Sequence, residues 1–197
     1  MLAPMRDGMA TSRGRAAAAA LALLVLGVSG CGSAPRRVAA APPAAVDYEP
    51  LVVRIEPPLN GAANRPYRAL GRDYHPDLSG RPYRQRGLAS WYAPRYQGQR
   101  TASGEPYDAR RLSAAHPTLP IPSYARVTNL DNGAQIVVRI NDRGPFRDAR
   151  IVDLSQAGAR LLGFAERGTA PVEVEALGAA ELRALAGRVA PLRPAQR

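Results

Sequence analysis

The 197 residues carry 27 basic against 16 acidic side chains, a formal charge of +11, yet the chain holds no lysine and only one cysteine. A chain of this length accommodates one ordinary domain plus tails, and a single cysteine leaves the fold without an internal disulfide. The arginines are scattered among alanine, proline and glycine instead of gathered into a patch, so no nucleic-acid partner is expected, only mild attraction to anionic lipid headgroups and cell-wall polymers.

In chain order, residues 1–30 read as a secretory signal, with Arg6, Arg13 and Arg15 ahead of an apolar stretch from Ala16 to Val28 too short and alanine-rich to span a bilayer. The stretch closes on Val28-Ser29-Gly30-Cys31, which resembles the lipobox of bacterial lipoproteins, so Cys31 is expected to become an acylated N-terminus and a membrane anchor. Gly32 follows the cysteine where an aspartate would retain the protein, and in a diderm cell that implies the outer membrane, facing the periplasm. Residues 31–46 are an Ala/Pro-rich tether, and residues 47–86 an extended arm in which Arg-Pro-Tyr-Arg occurs twice and tyrosines are expected to pack on the domain.

The domain is expected over residues 87–177. Leu88 to Tyr92 gives a short aromatic strand. Ser123 to Leu130 alternates into the hairpin turn Asp131-Asn132-Gly133, and a second alternating strand runs from Ala134 with Ile136, Val138 and Ile140 on one face. Arg150 to Leu154 is a further strand. Ser155 stands at an N-cap before a short helix from Gln156 to Leu162, and Gly163 stops it. Ala170 to Leu177 returns to strand, and residues 178–197 form a C-terminal helix and tail. Short strands with one or two short helices predict an all-β fold, a small barrel.

Three polar residues stand among turn glycines and prolines: Glu105, between Gly104 and Pro106; His116, before Pro117; and Asp142, which ends a strand immediately before Arg143-Gly144-Pro145. Singly, each has an ordinary structural role as a turn carboxylate, a loop histidine or an Asx-turn aspartate. No ligand spacing suits a metal, and no glycine-rich phosphate loop or serine nucleophile elbow is present, so no metal and no cofactor is expected. What remains is acid–base chemistry by carboxylates. A glycan suits it, because a leaving glycosidic oxygen needs a proton and Trp91, Tyr92 and Tyr96 can stack on sugar faces.

Several blocks carry a family resemblance: Ala89-Ser90-Trp91-Tyr92, Thr101-Ala102-Ser103-Gly104-Glu105-Pro106-Tyr107-Asp108, Ala114-Ala115-His116, Arg126-Val127-Thr128-Asn129-Leu130, Asn141-Asp142-Arg143-Gly144-Pro145-Phe146 and Arg150-Ile151-Val152-Asp153-Leu154-Ser155. The stretch from Gly87 to Val174 resembles the rare lipoprotein A family, septal-ring-associated lytic transglycosylases. The arm resembles the segment that precedes the barrel in that family at Pro66-Tyr67, Leu70-Gly71 and Tyr74-His75-Pro76.

The resemblance implies a six-stranded double-psi β-barrel and endolytic cleavage of peptidoglycan between N-acetylmuramic acid and N-acetylglucosamine, with 1,6-anhydro ends, on peptide-poor strands. By position it makes Asp142 the acid/base and places Glu105 and His116 in the same groove; strand alternation points Arg143 the opposite way, to pair with Asp148 or to bind a substrate carboxylate. Ala93, Pro117 and Gln97 depart from the usual residues of these blocks, and none removes a candidate. Many members carry a further C-terminal glycan-binding repeat domain, to which residues 178–197 do not correspond, so septal targeting is not implied. Two rival readings stay open: a non-catalytic, expansin-like wall-binding module, and a hydrolase using Asp142 with Asp153, whose ordinary role is electrostatics at the start of the following helix.

Overall fold

The computed structural model describes residues 46–147 and 149–195; the signal segment, Cys31, all but the last residue of the tether, and Asp148 lie outside them. The arm runs over the barrel instead of standing off it. Its first part is strapped down by backbone bonds from Glu49 N to Arg110 O, Val53 N to Arg188 O and Leu59 N to Ile121 O. Val53 is fully buried with Tyr124, Val137, Leu177 and Ala190 in a small satellite core. That strap explains why Val137, which alternation would put on the solvent face, is buried as well as Ile136 and Val138. The arm then folds into a hairpin of β1 (Tyr67–Ala69) and β2 (Arg72–Tyr74).

The barrel strands are β3 (Arg84–Trp91), β4 (Ser113–Ala115), β5 (Ser123–Asn129), β6 (Gln135–Asp142), β7 (Arg150–Leu154) and β8 (Ala170–Ala176). They neighbour one another in the order β4-β7-β3-β8-β5-β6, and β6 pairs back onto β4, closing the ring. The pairs β3–β7 and β4–β6 are parallel and the rest antiparallel. The fold is the all-β, six-stranded double-psi β-barrel. A two-strand hairpin could not make the parallel pairs; they require long crossovers, and the chain supplies one from β4 to β6 by way of β5 and one from β3 to β7 by way of β4, β5 and β6.

Two short helices complete the domain. Ser155 caps α1 (Gln156–Leu161), its Oγ accepting from Gly158 N at 3.2 Å, as the Ser-x-x pattern predicts. The second, α2 (Ala179–Leu185), lies after the barrel, and a two-residue strand β9 (Leu192–Arg193) pairs with the start of β6. The first barrel strand starts four residues earlier than its apolar run, from Leu88, suggests. Arg84 and Arg86 face Glu175 and Glu173 across β8, with bonds of 2.6 and 2.8 Å, so that end of the strand is built from exposed ion pairs instead of burial. The main core combines Val127, Ile136, Val138, Ile140, Val152, Leu154, Val172 and Val174 from the strands with Leu162 and Phe164 from the segment after α1.

Candidate active site

Strand β6 delivers two polar residues at its end, and the alternation of a strand sends them to opposite sides. Asn141 turns to one cavity, of about 410 Å³, and Asp142 to another, of about 710 Å³. The strand cannot continue past them. Gly144 has φ 122°, a conformation that favours glycine, and the Gly144–Pro145 bond is cis.

In the larger cavity the Asp142 carboxylate is held by neutral donors. Its Oδ2 accepts from the Tyr92 hydroxyl at 2.8 Å. Its Oδ1 accepts from the backbone N–H of Ala102 and of Arg143, both at 2.8 Å. Burial, then the neighbouring Asp142 charge and hydrogen bond, push the Tyr92 phenol far above its ordinary value, so it stays a donor at any physiological pH. Tyr92 packs against Tyr107 (ring centroids 4.6 Å) and edge-on to Tyr96 (5.8 Å), and Arg95 lies over the Tyr96 ring at 4.8 Å. Trp91 lines the same cavity and donates from Nε1 to Ala165 O at 3.1 Å. The three aromatic residues singled out from the sequence thus share one cavity with Asp142.

Asp153 is the second carboxylate of this cavity. It does not serve the helix terminus, the ordinary role its position suggested. Its Oδ1 accepts from Ser90 Oγ at 2.6 Å and from Arg150 Nη1 at 2.9 Å. Burial pushes its carboxyl above the usual range, with the Asp142 charge adding to the rise and Ser90 and Arg150 opposing it. Asp153 sits on β7, with only β4 between it and Asp142 on β6: Ala115 is in register with both residues.

Glu105 does not share that groove. It faces the smaller cavity, where Arg139 Nη1 donates to both its oxygens at 2.7 and 2.6 Å and Asn141 Nδ2 donates at 3.2 Å. Partial burial raises its carboxyl, but the bonds from Arg139 and Asn141 and the Arg139 charge outweigh that and hold it below the ordinary value. Arg139 also binds Glu56 of the arm strap, at 3.0 Å from Nη2, so one guanidinium bridges two carboxylates.

His116 is likewise outside the cavity, only 1% exposed. Its Nδ1 accepts from the backbone N–H of Thr118 (3.1 Å) and Leu119 (2.9 Å), which leaves the proton on Nε2 to donate to the Tyr83 oxygen at 2.8 Å. Burial, with the Arg143 charge beside it, pushes the imidazole down to about 3, so it is neutral.

Arg143 is directed inward. Its guanidinium donates to Ala63 O (2.8 Å), His116 O (3.0 Å), Leu119 O (2.6 Å) and Asn64 Oδ1 (2.8 Å), clamping the arm and the β4–β5 loop together. Four bonds to acceptors of its own chain leave it little capacity for a substrate carboxylate, and its expected partner Asp148 lies outside the described residues. Asn64, which the sequence did not single out, is buried and also holds Ile121 through both its N–H and its C=O. Among the described residues no group of three His, Cys, Asp or Glu side chains could hold a metal ion.

Residues 84–174 match the family described as lytic transglycolase. That span takes in β3 through most of β8, so the barrel of this chain is similar to that family's domain. The chain is 49% identical over 173 residues to the endolytic peptidoglycan transglycosylase RlpA of Pseudomonas aeruginosa strain UCBPP-PA14, covering 86% of this chain and 50% of that protein. It is 51% identical over 124 residues to RlpA of Neisseria meningitidis serogroup A, covering 63% of this chain and 52% of the relative. The chain therefore spans about half the length of the curated relatives it matches. A solved expansin of Clavibacter michiganensis aligns with 19% identity and a TM-score of 0.40, over 49% of this chain and 52% of that one.

Proposed function

We propose that this protein is an endolytic peptidoglycan lytic transglycosylase acting on peptide-poor strands. The observation that carries the reading is the Asp142 carboxylate, turned into a 710 Å³ cavity lined with Trp91, Tyr92 and Tyr96, in a barrel akin to proteins named for that activity. In the reaction, Asp142 gives a proton to the glycosidic oxygen as the bond from the muramic C1 breaks. The C6 hydroxyl of the same sugar attacks C1, and its proton returns to the Asp142 carboxylate. The balance requires no water. The intramolecular hydroxyl competes because well-oriented groups reach effective molarities of roughly 10⁵ M or more, against about 55 M for water. Tyr92 and the N–H groups of Ala102 and Arg143 fix the carboxylate's orientation throughout.

The hydrolase reading has one observation in its favour, the presence of Asp153 in the same cavity with its carboxyl raised by burial. The mass of fragments released from purified peptidoglycan separates the readings. Anhydro-muramic ends, lighter by one water, are expected. Reducing ends would support the hydrolase, and an undigested sacculus with bound protein would support the expansin-like module.

For the anchor, we infer that Cys31 is acylated and holds the domain to the outer membrane on its periplasmic side, a reading that rests on the residues around it. Cys31→Ser is expected to yield protein without lipid label. Mature, lipid-labelled protein from that variant would overturn the assignment.

A further inference from the structure

The arm contributes Leu70 to the lining of the cavity that holds Asp142, and that residue, at the tip of the arm's hairpin, is out of character for its place. Strands β1 and β2 are joined by Leu70 and Gly71 alone, with Ala69 paired to Arg72. Both turn residues have positive φ, 46° and 79°, the combination a two-residue type I′ hairpin turn demands. Asn-Gly is the favoured pair for that geometry, and a leucine in the left-handed region is uncommon and costly. Among the described residues Leu70 is the one non-glycine with positive φ. Its side chain is not repaid by burial, being 60% exposed, and it lines the cavity that holds Asp142.

The hairpin is fixed relative to Asp142 from both sides. Tyr67 stacks on Tyr74 at 5.1 Å, and both rings meet Phe146, four residues after Asp142, at 5.9 and 5.5 Å. Tyr67 donates to Pro117 O at 2.8 Å, and the Arg143 clamp holds the residues just before the hairpin. A strained, solvent-exposed leucine on a rigidly placed tip beside the acid is a contact surface for substrate. A flat aromatic ring suits the C–H face of a sugar, whereas a branched aliphatic tip suits a single methyl group. A peptidoglycan strand offers two kinds of methyl, that of the 2-acetamido group on every sugar and that of the lactyl ether on muramic residues; the lactyl methyl adjoins a carboxylate, which an aliphatic tip does not accommodate, so the acetamido methyl is the better match.

We infer that Leu70 is a specificity residue that reads the N-acetyl methyl of the bound glycan. This rests on the glycan reading of the cavity, so its test is made on binding and does not depend on turnover. Full-length Asp142→Asn protein, with and without Leu70→Asn, is titrated with N-acetylated glycan strands and with the same strands de-N-acetylated. The free amines alter the charge of the second ligand equally for both proteins, and the ratio of ratios removes that contribution. The preference for acetylated strands is expected to fall about fourfold on Leu70→Asn, the factor that burying one methyl is worth at about 0.8 kcal/mol. The melting temperature is expected to hold or rise, because Asn-Gly suits the turn. An unchanged preference in the folded double variant overturns the inference, as does failure of either protein to bind the acetylated strands. Failure of the glycosidic-cleavage reading would appear separately, as absence of anhydro products from the wild-type digest.

Discussion

The two sides of the end of β6 hold carboxylates in opposite ways. Among the described residues Asp142 receives neutral donors only and opens onto the larger cavity, whereas Glu105 is gripped on both oxygens by a guanidinium that also holds Glu56. A carboxylate neutralised by a partly buried arginine keeps its charge and serves the fold. One held by a phenol and two backbone amides is oriented without a counter-charge. The strand's two-residue period thus turns the adjacent side chains Asn141 and Asp142 to different cavities.

The comparison breaks most sharply at Asp142. Asp142→Asn keeps the hydrogen-bonding outline but cannot carry the proton, so glycan release is expected to fall by about 10³-fold or more with little change in melting temperature. A folded variant with undiminished release would transfer the chemistry elsewhere. Asp153→Asn should cost about tenfold, through loosening of Ser90 and Arg150, with the products still ending in anhydro sugars. Loss of all product, or a switch in end group, would make Asp153 a partner in the reaction.

On the other side, Glu105→Gln is expected to lower stability by about 1–2 kcal/mol in denaturant unfolding, since a charge-assisted pair is weakened while Glu56 still partners Arg139. Turnover by the folded variant should stay within about threefold, well short of the 10²–10⁴ that an acid–base group contributes. A loss as large as that of Asp142→Asn would erase the distinction between the two sides.

The remaining effect is seen only in acid and concerns His116. Its folded value, about 3, lies below the ordinary 6.5, so the stability tied to its neutral form is complete above pH 6.5 and is lost as pH falls toward 3. Asp153, raised by burial, works with the opposite sign, favouring the fold as pH falls. The difference between wild type and His116→Gln in unfolding free energy, followed from pH 7 to pH 4, isolates the histidine. The wild-type curve is expected to be the steeper, and parallel curves would mean the ring is not held neutral.

Much of this was legible in the residues. The Asp-Asn-Gly hairpin, the Ser155 cap and the apolar alternation of β6 are local signals, and each produced the element it predicts. The inward turn of Arg143 was not legible, because its four acceptors lie about 24 to 80 residues away and only the folded chain brings them together. The same holds for the separation of Glu105 from Asp142, which depends on which side of β6 the loop before β4 passes. Asp153 was misjudged for a related reason. A carboxylate two residues before an N-cap reads as helix chemistry, while its partner Ser90, 63 residues away, becomes a neighbour only through the parallel β3–β7 pairing. Strand β4, Ser-Ala-Ala, has no strand signal of its own; it is fully buried and its position is set by the two strands it joins.

That three-residue strand has a consequence for solubility. A ring has no edge, but this ring is closed by β4 alone, whose Ala114 and Ala115 pair with the end of β6 on one side and of β7 on the other. The same flank of β6 is covered nearer its start by the two residues of β9. Were either patch to lift, β6 would show a run of unpaired amides flanked by Ile136, Val137 and Val138, the kind of sticky border through which sheets from separate molecules join. Protection against self-association is therefore concentrated in five residues, Ser113, Ala114, Ala115, Leu192 and Arg193, whose side chains have little else to do.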